Sequence, residues 1–134
     1  MNDCSVLLVD DEVELLETVV KRLRHRRLDV RAVHGGREAL ESLGTESVDV
    51  VVLDVKMPGM DGIQTLKEIK ARHPLVEVIM LTGHASVEVA IEGMELGAFD
   101  YLMKPVELDE LLYKIQDAYD KKAVQEAKIR SMER

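Results

Sequence analysis

The chain of 134 residues has the length of one domain, is 46% hydrophobic and 33% charged, and carries a formal net charge of −8. This composition excludes a disordered chain, and the acidic balance argues against direct binding of nucleic acid. No apolar run reaches the roughly 20 residues of a membrane span. The first four residues lack the basic and apolar regions of a signal peptide, and Cys4 is the single cysteine, so we expect a cytoplasmic protein without an intramolecular disulfide and without membrane association.

The first predicted elements are a strand and a helix. Residues 6–9 form a short apolar run, which is typical of a strand buried on both faces of a parallel sheet. Asp10, Asp11 and Glu12 end that strand. Apolar residues then recur at helical spacing within residues 13–23, which predicts an amphipathic helix.

The same order of elements is predicted again in the next segment. Residues 30–33 form a less apolar strand, and residues 36–43 form a short helix closed by Gly44. Residues 50–53 are entirely apolar, which predicts a central strand with Asp54 at its end.

A loop rich in turn-forming residues follows at residues 57–62. Asp61 within it is a candidate N-cap for a helix over residues 63–69, and Pro74 lies just beyond the end of that helix. Residues 76–81 predict the fourth strand.

The last strand and helix are predicted near the C-terminus. Residues 86–96 predict a fourth helix that ends at Gly97, and residues 99–103 predict a fifth strand. The Lys104-Pro105 bond that stops this strand is a candidate for the cis form. Apolar residues at helical spacing over residues 108–119 predict a fifth helix.

Five strands that alternate with five helices through short loops predict an α/β fold, a doubly wound open parallel sheet. We divide the chain into one domain at residues 1–120 and a helical extension or linker at residues 121–134. The apolar residues of the extension do not keep a clean heptad, which favours an exposed linker helix over a coiled coil.

Polar residues follow four of the predicted strands. Ligands of open α/β sheets bind beyond the carboxyl ends of the strands, so these side chains should gather at one edge. Carboxylates that lie close together repel one another unless a hard cation neutralises them, and ligand sets made only of oxygen favour Mg²⁺ over Zn²⁺. The residues concerned are Asp10, Asp11, Asp54, Thr82 and Lys104.

This arrangement predicts phosphoryl chemistry. A carboxylate can attack phosphorus to form an aspartyl phosphate, and Asp54 on the central strand is the best candidate nucleophile. Asp10 and Asp11 are better placed as cation ligands. Mg²⁺, Lys104 and the Thr82 hydroxyl would supply the positioning and charge neutralisation that phosphoryl transfer requires.

Four segments closely resemble those of response-regulator receiver domains of two-component systems, similar to chemotaxis regulators. They are residues 7–12 (LLVDDE), 52–62 (VLDVKMPGMDG), 81–83 (LTG) and the pair Lys104-Pro105. The resemblance covers about residues 4 to 120 and implies a flavodoxin-like sheet with strand order 2-1-3-4-5.

The resemblance also implies roles for individual residues. Asp54 would be the phosphoacceptor and, with Asp10 and Asp11, a Mg²⁺ ligand; Asp11 would be the principal ligand. The main-chain carbonyl of Lys56 would complete the ligand set. The side chain of Lys56, two residues beyond the phosphoacceptor, would influence the lifetime of the phosphoryl group.

The implied switch joins the phosphoryl group to an output surface. Thr82 and Lys104 would bind the phosphoryl oxygens, the Thr82 hydroxyl would move toward the phosphate, and Tyr101 would turn inward. The face formed by the fourth helix, fifth strand and fifth helix would change.

Expected partners are a histidine kinase or phosphotransfer protein, a downstream effector domain or protein, and a second copy in a phosphorylation-dependent homodimer. The domain would be no enzyme in the ordinary sense, although it takes part in its own phosphorylation and autodephosphorylation.

Other interpretations remain open. Asp11 and Glu12 could be N-terminal acids that stabilise a helix. A haloacid-dehalogenase-like phosphatase would combine similar residues, but that family places an acid where Lys56 stands. A pseudo-receiver that only binds proteins would lack one of the five site residues. His84 is a candidate for controlling access to the phosphoryl group.

Overall fold

The structure, a computed structural model, describes residues 4–56, 61–83 and 87–133. Residues 57–60 of the predicted loop, His84 and the predicted start of the fourth helix at Ser86 lie outside the described residues. None of the helices within the described ranges combines the length and the apolar character needed to cross a bilayer.

The chain forms one parallel sheet of five strands in the order β2-β1-β3-β4-β5, which confirms the predicted fold class and strand order. The central strands are buried along almost their whole length, as expected for strands covered on both faces. Every strand limit lies within one residue of its prediction, a difference that is ordinary for strand ends. The strands are β1 (Ser5–Val9), β2 (Asp29–Val33), β3 (Val50–Asp54), β4 (Glu77–Thr82) and β5 (Asp100–Met103).

Helices cover both faces of the sheet and give the molecule two hydrophobic cores. One core lies between the sheet and the first and last helices, and the other lies beneath the three helices between them. Both faces are covered because consecutive parallel strands are joined by right-handed crossovers on either side of the first strand. The helices are α1 (Val13–His25), α2 (Gly36–Thr45), α3 (Gly62–Arg72), α4 (Val87–Glu95) and α5 (Leu108–Met132).

Local signals at the helix ends were mostly predictive. The Asp61 carboxylate accepts a hydrogen bond of 2.8 Å from the Gln64 N–H, which confirms the predicted N-cap of α3. After α4, Gly97 adopts a φ of 104°, and the Ala98 N–H donates back to the Gly93 carbonyl at 3.0 Å. The prediction that Gly44 closes α2 is wrong, because the helix continues through it to Thr45.

Helix α5 is continuous past residue 120. Lys122 Nζ lies 2.9 Å from Asp49 Oδ1, just before β3, and Lys121 Nζ lies 2.9 Å from Glu77 Oε2 at the start of β4. Both contacts attach the helix to the amino-terminal edge of the sheet. The division of the chain at residue 120 stays a prediction, because the helix does not change there.

The end of α1 carries a left-handed residue that is not glycine. Arg27 has a φ of 67°, while the Leu28 N–H donates to the Leu23 carbonyl at 3.3 Å across the turn. This conformation costs an L-residue about 1 kcal/mol, and glycine avoids that cost. We expect Arg27→Gly to raise the free energy of unfolding by about 0.5–1 kcal/mol in urea titrations followed by circular dichroism.

The neighbouring Arg26 provides the matched control, because its φ of −90° suits any L-residue. Arg26→Gly should lower stability slightly, since glycine adds freedom to the unfolded chain and removes an exposed ion pair of 3.8 Å with Asp109. Destabilisation by Arg27→Gly of the same size as by Arg26→Gly would contradict the assigned strain.

Candidate functional site

Four of the predicted site residues meet at the carboxyl edge of the sheet. Asp10 directly follows β1, Asp54 and Thr82 are the last residues of β3 and β4, and Lys104 directly follows β5. The three residues other than Lys104 are each at most 5% exposed. The site lies beside the boundary between β1 and β3, where the strand order reverses and ligands of such sheets bind.

Lys104 connects the strand ends. Its Nζ donates hydrogen bonds to Glu12 Oε1 at 3.0 Å and Asp10 Oδ2 at 3.1 Å, and it lies 3.4 Å from Asp54 Oδ2. The bond from Lys104 to Pro105 is cis, the form for which the sequence made it a candidate. The backbone N–H of Lys104 donates to the Thr82 carbonyl at 2.7 Å. The lysine therefore enters the site from a backbone position that is fixed against β4.

Asp54 stands in a site with excess negative charge. Burial and the neighbouring Asp10 carboxylate raise the pKa of Asp54 to about 6, although Lys104 and the Lys56 N–H act in the opposite direction. Burial alone would lower the pKa of Lys104, but its hydrogen bonds to Glu12 and Asp10 and the charge of Asp54 hold it above the ordinary value. The Lys104 ammonium group thus only partly neutralises the carboxylates.

Glu12 is the site residue that the sequence interpretation missed. It occupies the N-cap position of α1, but its side chain makes no capping hydrogen bond and pairs with Lys104 instead. Its backbone N–H donates to Asp10 Oδ1 at 3.0 Å, which turns the chain back toward the edge of the sheet. The available signal is an acid two residues after the aspartate that follows the strand, and in the sequence this signal is equally consistent with a charge that stabilises the start of a helix.

Asp11 and Lys56 lie closer to solvent. Among the described residues, the carboxylate oxygens that come within 4.8 Å of one another belong to Asp10, Glu12 and Asp54. Asp11 is exposed and is not one of this group. Lys56 is also exposed, and its backbone N–H donates to Asp54 Oδ1 at 3.2 Å, so its main chain runs beside the carboxylate.

This oxygen-rich group fits a hard divalent cation. Among the described residues, these three carboxylates lie around the Lys104 ammonium group, and burial together with the Asp10 charge still raises the pKa of Asp54. The donor set holds no sulfur or imidazole, which favours Mg²⁺ over transition metals.

The two predicted switch residues line one cavity. Thr82 and Tyr101 both border an apolar cavity of about 370 Å³ between α4 and β5, and Tyr101 is exposed. Tyr101 lies on β5, one strand away from the threonine. The remaining lining residues are Val87, Ala90, Ile91, Met94, Glu95 and Met103.

Comparison with known proteins identifies relatives over most of the chain. The family model of the response regulator receiver domain matches residues 6–116. The transcriptional regulatory protein ZraR of Escherichia coli K12 is 39% identical over 117 residues, which cover 87% of this chain and 26% of the relative. The DNA-binding transcriptional regulator NtrC of the same strain is 38% identical over 84% of this chain and 24% of its own length. The chain thus spans about a quarter of these relatives.

The solved structures that resemble this chain include receiver domains of response regulators. The receiver domain of NtrX from Brucella abortus superimposes with a TM-score of 0.82 at 32% identity, covering 86% of this chain and 98% of that one. A response regulator receiver domain protein from Clostridium thermocellum gives a TM-score of 0.87 at 35% identity, covering 91% and 98% of the two chains.

Proposed function

The chain belongs to the response regulator receiver domain family, and from this membership we propose that it is a phosphorylation-activated switch with Asp54 as phosphoacceptor. The observation that carries the proposal is the position of Asp54, which is buried beside Asp10 and 3.4 Å from the Lys104 ammonium group. A nucleophile, an acidic neighbour and a fixed cation are the parts that phosphoryl transfer to a carboxylate requires.

Each residue of the site has a separate role in the proposed phosphoryl transfer. An Asp54 oxygen attacks phosphorus, a bond from oxygen to phosphorus forms, and the bond from phosphorus to the donor's imidazole nitrogen or acyl oxygen breaks. Lys104 and the Thr82 hydroxyl neutralise and bind the oxygens of the transferred group. Asp10, Asp11, Asp54 and the Lys56 carbonyl would hold Mg²⁺, which when bound neutralises charge on the transferring phosphoryl group.

The proposed signal leaves the site through Thr82 and Tyr101. Because both residues line one cavity, movement of the hydroxyl toward the phosphoryl group changes the space available to the tyrosine ring. The phosphoryl group adds about −1.5 to −2 charges, enough to reorganise a neighbouring hydroxyl and lysine. The face of α4, β5 and α5 is the proposed output surface.

The relatives suggest where such a signal would go. ZraR and NtrC carry the names of transcriptional regulators, and this chain matches about a quarter of each. We therefore propose a histidine kinase or phosphotransfer protein as phosphoryl donor and an effector domain or protein as target, in the cytoplasm. A homodimer that forms on phosphorylation is a proposed intermediate step.

Phosphorylation by a small donor tests the proposal. Intact-protein mass is measured after incubation with acetyl phosphate, with Mg²⁺ or with EDTA. We expect a single phosphoryl adduct that requires Mg²⁺, is lost in Asp54→Asn, and is retained in Asp117→Asn, a control at an exposed carboxylate of α5. An adduct that persists in Asp54→Asn would identify another acceptor, and no adduct in the wild type would favour a pseudo-receiver.

A further inference from the structure

The ammonium group of Lys104 is not centred on the proposed phosphoacceptor. It donates hydrogen bonds to Glu12 at 3.0 Å and Asp10 at 3.1 Å, whereas the nearest Asp54 oxygen lies at 3.4 Å. Of the three partners, Glu12 and Asp10 therefore determine where the lysine lies. Asp54 is close enough to interact with the positive charge of Lys104, but it is not the nearest partner of the ammonium group.

Glu12 differs from the other two partners in its exposure. Its side chain is 60% exposed, compared with 2% for Asp10 and 7% for Asp54. Ion pairs that reach solvent contribute only modestly, so Glu12 biases the position of Lys104 without preventing its movement. The backbone of Glu12 is fixed by its hydrogen bond to Asp10 Oδ1, which keeps its side chain within reach of the lysine.

From this geometry we propose that Glu12 is a positioning residue for Lys104. It holds the ammonium group toward the rim of the site and so keeps the Asp54 oxygens accessible to a cation and a phosphoryl donor. This inference rests on the proposed function, because it assigns Glu12 a part in preparing the same site. Lys104 remains close enough to move onto a phosphoryl oxygen once Asp54 carries one.

Removal of the Glu12 charge should shift the lysine. Within the described part of the chain, Asp10 and Asp54 are the carboxylates left beside Lys104 in Glu12→Gln, so the ammonium group pairs more closely with Asp54. Mg²⁺ must then displace the Lys104 ammonium group from Asp54, which is one of the proposed ligands of the ion. Mg²⁺ should bind more weakly, although Glu12 itself need not contact the ion.

A double-mutant cycle separates this role from a direct effect of charge. The Mg²⁺ dissociation constant is measured by calorimetry for the wild type, Glu12→Gln, Lys104→Met and the double variant. We expect Glu12→Gln to weaken binding about five-fold in the wild type but less than about two-fold when Lys104 is absent, because coupled residues are not additive. Equal factors in both backgrounds would overturn the positioning role.

A structural readout completes the test without phosphorylation. The carboxyl carbon resonance of Asp54 in the Mg²⁺-free protein should shift in Glu12→Gln and stay unchanged in Glu14→Gln, a control at an exposed acid of the same helix. An unshifted resonance in Glu12→Gln would also overturn the proposal. Neither measurement depends on a phosphoryl adduct, so failure of the proposed function is detected separately by mass.

Discussion

Gly62→Ala is expected to destabilise the protein by about 3 kcal/mol or more, because no side chain fits at this position. A Cβ atom on Gly62 would lie 2.5 Å from the Val55 Cα and 2.7 Å from the Asp54 carbonyl oxygen. These atoms are backbone and cannot turn away as a side chain would. The Gly62 N–H also donates to the Val55 carbonyl at 3.0 Å, so the clash would separate α3 from the strand that carries Asp54.

Gly44→Ala is the matched control, since a Cβ atom there would meet nothing within 4 Å. Gly44 lies inside α2, where alanine is the better helix former, and the substitution should stabilise the protein by about 0.5 kcal/mol. Urea unfolding followed by far-ultraviolet circular dichroism suits both variants, because the chain has no tryptophan. Unfolding free energies of Gly62→Ala within 1 kcal/mol of the wild type would refute the close approach, by the usual range for neutral surface changes.

Asp54→Asn is expected to stabilise the Mg²⁺-free protein at pH 7.5 by about 3 kcal/mol, since the pKa of Asp54 is raised from 3.8 to about 6 and each pKa unit corresponds to about 1.4 kcal/mol. Burial and the charge of Asp10 raise the pKa of Asp54 from 3.8 to about 6, so the ionised carboxylate lowers the free energy of unfolding. Asparagine has nearly the same shape and no charge to bury. The proposed nucleophile thus reduces stability in the absence of its cation.

The sign of the pH dependence follows from proton linkage. Between about pH 4 and pH 6 the folded state holds the Asp54 proton more tightly than the unfolded state does. The contribution of Asp54 to stability therefore falls as pH rises through this window, and the full cost is present above it. The advantage of Asp54→Asn over the wild type should be small at pH 4 and reach its maximum above pH 7.

Thermal unfolding of both proteins from pH 4 to pH 8, with EDTA or with Mg²⁺, measures this difference. Mg²⁺ should raise the melting temperature of the wild type more than that of Asp54→Asn, because the cation compensates the buried charge. Asp117→Asn, at an exposed carboxylate, should follow the wild type at every pH. A wild type more stable than Asp54→Asn in EDTA at pH 7.5 would contradict the assigned electrostatics.

Much of the site could be predicted because it depends on strand ends. Asp10, Asp54, Thr82 and Lys104 each end or follow an apolar run, and parallel strands bring their carboxyl ends to the same edge. Glu12 could not be assigned in this way. Its role depends on the turn after β1 and on the approach of Lys104 from 92 positions away in the chain.

Helix ends show the same limit of local signals. Asp61 and Gly97 acted as predicted, because capping and the left-handed turn involve only a few neighbouring residues. Gly44 did not end α2, since helical geometry costs glycine only about 1 kcal/mol and packing of the helix offsets it. At the end of α1 the opposite occurs: Arg27, which is not glycine, adopts the left-handed conformation that glycine prefers, between the buried Leu23 and Leu28.

The fold class, the order of elements and the edge at which the functional residues gather can be predicted from the sequence, because they follow from the period and placement of apolar runs. The carboxylates that share Lys104, the burial of Asp54 and the lack of space for a side chain at Gly62 become apparent when the chain is folded. These properties arise from distances between residues that are remote in the chain. Electrostatic and steric energies depend on such distances, and a one-dimensional pattern does not contain them.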